Sequence, residues 1–206
     1  MKIQLIHPFC CDDRADWVKI LTDVDTLAKF ENRIKKFCDS KTEYLTEDEK
    51  GNKVRTFLGD AWEVFVEMLL KSHPYDRRIG VSHYKPMHPV FGNEDHGVDG
   101  KGVGTNGRVA TVQAKFRGNP QDVLTANGAH LTNFLASSQN EHGVNIEDTE
   151  NMLIVTNCKG LHYYTEEKML HKKVKCLGRD AIQQFVDNNI PFWDEFRRAT
   201  SVFKNR

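Results

Sequence analysis

The run "NMLIVTN", residues 151–157, places Met152, Leu153, Ile154 and Val155 in succession with no polar residue between them. A strand sends alternate side chains to opposite faces, so a run without alternation has no face to offer to water. Such strands occur where helices or further layers cover the sheet on both sides, as in parallel and mixed sheets. The rest of the chain supplies the cover. Apolar residues at 17, 18, 20, 21, 24, 27, 30, 34 and 37 keep a helical period and predict one or two helices over residues 14–38. "TFLGDAWEVFVEMLLKSHP" predicts a helix over 57–72, stopped by Pro74. Further helices are expected over 121–138, at "TEEKMLHK", and as two segments of "GRDAIQQFVDNNIPFWDEFRRA" divided before Pro191. Strands are expected near 78–85, over 108–116 and at "KVKCL". This order predicts an α/β fold with a central mixed β-sheet flanked by helices.

At 206 residues the chain is long enough for one substantial core with decorations. The charged stretch "DSKTEYLTEDEKGNKVRT", with Gly51 in it, has the composition of a mobile connector. It separates an N-terminal helical extension and linker, 1–54, from the main domain, 55–206. No apolar run approaches the roughly 20 residues that cross a bilayer, which leads us to expect a soluble, cytoplasmic protein with no membrane partner. Five cysteines at 10, 11, 38, 158 and 176 form no regular spacing and suit a reducing compartment. "HPFCC" lacks the ligand spacing of a structural zinc site. Lys plus Arg and Asp plus Glu both number 29, so the global positive field of a purely electrostatic nucleic-acid binder is absent and any such binding must use local patches.

The chemistry concentrates in "EDHGVDGKGVGTNGRVATVQAKFRGN", residues 94–119. In its strand Val109, Thr111, Gln113 and Lys115 share one face, and Ala110, Val112, Ala114 and Phe116 the other. The second face suits a core, and the first is expected to look into something polar. Asp99 lies between Gly97 and Gly100, where the backbone can turn closely about an ion. Mg²⁺ takes oxygen ligands. Asp99, the amide oxygen of Gln113, the carbonyl of Ala114 and Glu63 of the preceding helix are the candidates, with Mn²⁺ expected to substitute. Lys115 is placed to contact a scissile phosphate and the attacking water. Arg117 and Asn119, which follow the strand, are candidates to hold phosphate, and so is Lys101. The loop around Lys101 has no G-K-[ST] and is not that of an NTPase. Glu67 is read as a helix-surface or supporting acid, and Glu94, Asp95 and His96 as a solvated turn.

Taken together, "GDAWE" on a helix, then "GVDG", then "VQAK" resemble the PD-(D/E)xK nuclease superfamily, in its restriction-endonuclease-like branch where Gln often takes the third acidic position. The later "NMLIVTNCKGL", "VKCLGRDAIQQF" and "PFWDEFRR" resemble that branch too, so the likeness covers roughly residues 55–200. The resemblance implies a Mg²⁺-dependent endonuclease acting on double-stranded DNA, with Asp99, Gln113 and Lys115 on its core motif and Glu63 as its helical acid. Two positions depart from the pattern: Gln113 replaces the usual acid and Val98 the usual proline. A structure-selective nuclease such as a Holliday-junction resolvase, or a DNA-binding protein without catalysis, remain alternatives. Base reading is expected from the N-terminal helices and from the 75–96 segment, including Arg77 and Arg78. One hydrolytic site per chain predicts a homodimer for cutting two antiparallel strands, with "IPFWDEFRRATSVF" and helix 14–38 as the suspected contact surfaces.

Overall fold

The computed structural model describes residues 2–8, 14–43, 46–88, 97–125, 131–145, 147, 151–162 and 174–201. In chain order these hold α1 (Arg14–Leu21), α2 (Leu27–Thr42), α3 (Glu47–Ser72), β1 (Val81–Pro86), β2 (Gly100–Gly104) and β3 (Val109–Lys115), followed by α4 (Leu131–Asn140), β4 (Met152–Thr156), β5 (Lys175–Leu177), α5 (Arg179–Val186) and α6 (Ile190–Ser201). The five strands form one sheet in sequence order. β1, β2 and β3 run antiparallel as a meander, and β4 and β5 then pair in parallel with what precedes them. β3 is therefore the strand at which the sheet changes sense.

The fold is α/β with a mixed sheet covered on both faces, and the alternation of β3 and β4 shows why. Ala110, Val112, Leu153 and Val155 enter a large core with α1, α2, α3, α5 and α6, whereas Met152 and Ile154 enter a second core with Leu131, Phe134 and Leu135 of α4. The uninterrupted apolar run of β4 thus feeds two cores at once. Trp62 ties α3 to the sheet through its indole N–H, which donates to the carbonyl of Val155 at 3.3 Å.

The aromatic rings of the C-terminal segment pack into the core of their own chain. Phe192, Trp193 and Phe196 of α6 are buried, and Phe30 and Phe65 stack beside them at a ring separation of 5.0 Å. Trp17, Ile20 and Leu21 of α1 are buried in the same core. Large apolar rings of this kind stabilise a domain chiefly by the area they remove from water.

Other expectations also change. The stretch read as a connector is helical at both ends, since α2 continues to Thr42 and α3 begins at Glu47. Thr46 and Glu49 form a reciprocal capping box that satisfies the first free N–H groups of α3, so the helix starts ten residues earlier than its apolar stripe. α3 crosses the 54/55 division, and one core draws on residues from both sides of it. Residues 121–125 are not helical; Leu124 instead makes a parallel bridge with Leu161, and α4 begins at Leu131. Residues 77–79 form a turn closed by the Ile79 and Gly80 N–H groups donating to the Asp76 carbonyl, so β1 starts at Val81. "TEEKMLHK" lies outside the described residues. Cys38 and Cys158 are buried free thiols, and burial pushes Cys38 up to about 11. Among the described residues no helix is long and apolar enough to cross a membrane.

Candidate functional site

α3 carries Asp60, Glu63 and Glu67 at helical spacing, which places all three toward one side. Segment 2–8 lies along that side. The N–H groups of Ile6 and His7 donate to Glu67 Oε1 at 2.8 Å and Oε2 at 3.0 Å. Lys71 Nζ donates to Glu67 Oε1 at 2.6 Å and to the Gln4 carbonyl at 2.8 Å. Glu67 is 0% exposed. It is a buried clamp rather than a helix-surface acid. His7, also fully buried, places Nε2 2.9 Å from Glu63 Oε2, and its ring meets His88 edge-on at 5.3 Å.

Asp99 stands immediately before β2, and the sheet grips its backbone. Its N–H donates to the Val112 carbonyl at 2.9 Å, and its carbonyl accepts from Met87 N–H at 2.9 Å and Tyr84 O–H at 3.4 Å. Its side chain reaches across to β3, where Oδ2 accepts the Ala114 N–H at 2.6 Å. Gly100 is required next door, because a Cβ there would lie 2.3 Å from the Tyr84 ring. Gly97, at φ 84, turns the chain into this position and accepts Gln113 Nε2–H at 2.9 Å.

Gln113 is 0% exposed, and its Oε1 is buried without a hydrogen-bond partner. A buried amide oxygen left unbonded costs on the order of 1–3 kcal/mol, so it asks for an explanation such as an ion. The polar face expected of β3 is dry at its middle, where Thr111 is buried and donates to Ser138 Oγ of α4 at 2.8 Å, and open at its start, where Val109 is exposed. Lys115, at the end of the strand, is half-buried and makes no hydrogen bond or ion pair with a described residue.

The electrostatics join α3 to the sheet. Burial holds His7 below the usual imidazole range, against the opposing pull of Asp60, Glu67 and Asp99. Burial raises the Asp60 carboxyl, with His7 and His88 opposing. Burial and then the fields of Glu67, Asp99 and Glu63 push Tyr84 well above its ordinary value. Asp99 and Glu63 therefore act on the same buried tyrosine. His7, Asp60, Tyr84 and His88 were not among the residues the sequence singled out for the site, although Asp60 lies inside "GDAWE".

Hydrogen bonds bring Asp99 to Ala114 and Gln113 to the neighbouring Gly97, with Lys115 one residue beyond Ala114, and Glu63 is linked to Asp99 through the field that both exert on Tyr84. Arg77 and Arg78 are not part of this group. They precede Val81, which pairs with Gly104 at the far end of β2, whereas Asp99 abuts Gly100 at the near end, opposite Pro86. Arg78 is further committed to Asp76, at 2.8 Å, and lies 4.0 Å over the Phe185 ring. Asn119 is also occupied, closing a turn with Gln121 N–H at 3.1 Å and Asp122 Oδ1 at 2.7 Å. Arg117 is fixed through its backbone: Asn157 Oδ1 accepts its N–H at 2.6 Å, and its carbonyl accepts from Asn157 Nδ2 at 2.9 Å. Behind it Arg179 pairs with Glu31 at 2.7 Å. Lys101 is half-buried on β2, opposite Thr111. Glu94, Asp95 and His96 lie outside the described residues.

Among the described residues no group of three or more His, Cys, Asp or Glu side chains gathers at metal-ligand spacing. The candidate set is of another kind, two of its four members being the amide of Gln113 and the carbonyl of Ala114. No protein-family model, curated protein or solved structure matches this chain.

Proposed function

We propose that the chain is a Mg²⁺-dependent endonuclease of the PD-(D/E)xK kind, hydrolysing phosphodiester bonds in double-stranded DNA. The observation that supports the reading is Gln113 Oε1, buried and unbonded in the residue before Ala114, whose N–H the Asp99 carboxylate accepts. All the donors are oxygens, which suits Mg²⁺ or Mn²⁺ rather than a thiophilic metal. Asp99, Gln113, the Ala114 carbonyl and Glu63 would hold the ion. When bound it supplies charge to polarise the phosphate and to lower the pKa of the attacking water.

The chain's own groups do the remaining work. The hydrogen bond from Ala114 N–H fixes Asp99 against β3 before any ion arrives, a form of preorganisation. Lys115, one residue beyond Ala114, offers an ammonium to the phosphate oxygens where negative charge develops. Lys101 and the side chain of Arg117 would add further phosphate contacts. Two copies related by a two-fold axis would present one site to each strand.

The test is cleavage of supercoiled, branched and single-stranded DNA with Mg²⁺, Mn²⁺ or chelator, by wild type and Asp99→Asn, alongside light scattering. Asn can still accept from Ala114 N–H, so the variant is expected to fold and to lose cleavage. Chelator-resistant cleavage, or a fully active Asp99→Asn, overturns the site. A folded wild type that binds DNA without cutting it points to a binding protein. Preference for branched DNA points to a structure-selective nuclease, and a strict monomer that only nicks removes the dimer.

A further inference from the structure

We infer that His7 is a positioning residue of this site, holding the Glu63 carboxylate in the orientation in which it serves the cation. The inference rests on the nuclease reading of the same cluster. A carboxylate only accepts hydrogen bonds, so Nε2 of His7 is the donor in the 2.9 Å contact with Glu63 Oε2. That bond occupies one oxygen and turns the other away from the imidazole. Glu63 is 21% exposed on α3, and the bond limits the rotamers open to it.

The imidazole is itself held from behind. Both carboxylate oxygens of Glu67 are used on consecutive backbone N–H groups, those of Ile6 and His7. Lys71 bonds the same arm at Gln4. At the arm's start Ile3 N–H donates to Glu195 Oε1 at 2.7 Å, and Arg198 donates to the Ile3 carbonyl at 2.7 Å. Every one of these bonds fixes the backbone at His7 or in the residues before it, and the side chain so fixed meets Glu63. Groups that orient a metal's carboxylate or histidine ligands typically contribute about 10- to 100-fold to metal affinity.

The experiment measures Mn²⁺ affinity by calorimetry for the full chain as wild type, His7→Leu, His7→Gln, Glu63→Gln and the His7→Leu/Glu63→Gln double variant, with thermal melts in chelator to establish folding. His7→Leu is expected to weaken Mn²⁺ by about 10- to 100-fold. Glu63→Gln should do the same, and the double variant should be no weaker than Glu63→Gln alone. His7→Gln, which keeps an N–H donor, should restore most of the affinity. Wild-type Mn²⁺ affinity in a folded His7→Leu overturns the inference, and so do additive losses in the double variant. If both His7 variants fail to fold while Glu63→Gln folds, His7 serves the core and the inference falls. A wild type that neither binds Mn²⁺ nor cuts DNA overturns the nuclease reading itself and this role with it, an outcome distinct from failure of His7 alone.

Discussion

Replacing Gln113 with Glu tests whether the space around its Oε1 is built for an ion. Without a cation the substitution does two things. It removes the Nε2–H that donates to the Gly97 carbonyl at 2.9 Å and sets a carboxylate oxygen in its place, a loss of about 1–3 kcal/mol. It also puts an ionisable group where exposure is 0%, next to the position of Asp99. Burial there lifts a carboxyl by up to about 3–5 units above its usual value of about 4.3. With the folded pKa above the unfolded one, the penalty is absent below about pH 4 and grows by about 1.4 kcal/mol per unit as pH rises toward the folded value. A lift of about three units therefore costs about 4 kcal/mol at neutral pH. Together with the lost bond the deficit is about 5–7 kcal/mol, a large part of the roughly 5–15 kcal/mol that stabilises a domain. A divalent cation opposes it, since an ion at about 100 times its Kd returns about 2.7 kcal/mol to any protein it binds only when folded. The extra charge should also tighten that binding. The assay is urea unfolding followed by fluorescence of the buried Trp17, Trp62 and Trp193. It is run near pH 5 and pH 8, in chelator and in Mg²⁺. The variant's deficit in chelator should shrink by about 3 kcal/mol toward pH 5, and Mg²⁺ should stabilise the variant more than wild type. A deficit flat in pH and indifferent to Mg²⁺ would refute both the burial argument and the ion.

Lys115→Ala should abolish turnover while calorimetry still detects Mg²⁺ at wild-type affinity; metal binding that vanishes with the lysine would contradict its role at the phosphate. Arg179→Met leaves Glu31 buried without the guanidinium that bonds it at 2.7 Å, and denaturant unfolding should show a loss of about 3–5 kcal/mol. Asp60→Asn should alter the pH profile of stability. Burial raises the folded pKa of Asp60, so its contribution is fully present below the unfolded value of about 3.9 and is lost as pH rises through the folded value. In chelator the Asn variant should gain on wild type steadily above about pH 4, and parallel melting profiles would count against it.

What the sequence made legible followed from short-range periodicity. "NMLIVTN" announced a doubly covered sheet because it lacks alternation, and β4 does feed two cores. Gln113 and Lys115 could be paired because a strand repeats every two residues. The early turns of α3 escaped notice for the opposite reason: they are solvated and have no apolar stripe. Only Thr46 and Glu49, whose capping box is visible as "TEDE", mark where the helix starts. The burial of Thr111 against Ser138 could not be read from β3 alone, because it depends on where α4 docks. His7 was hidden by distance, with 56 positions between it and Glu63 and nothing local in "HPFCC" to connect them.

The bonds joining Ile3 to Glu195 and Arg198 span 192 and 195 positions. A ribosome must therefore translate and release α6 before the start of the arm that carries His7 can be tied down, although Glu67 and Lys71 of α3 are there for the rest of the arm much earlier. While the chain is still emerging, the arm can close on α3 with Ile3 still untied. The two ends of the chain are thus joined last, by contacts that no partly made polypeptide can form.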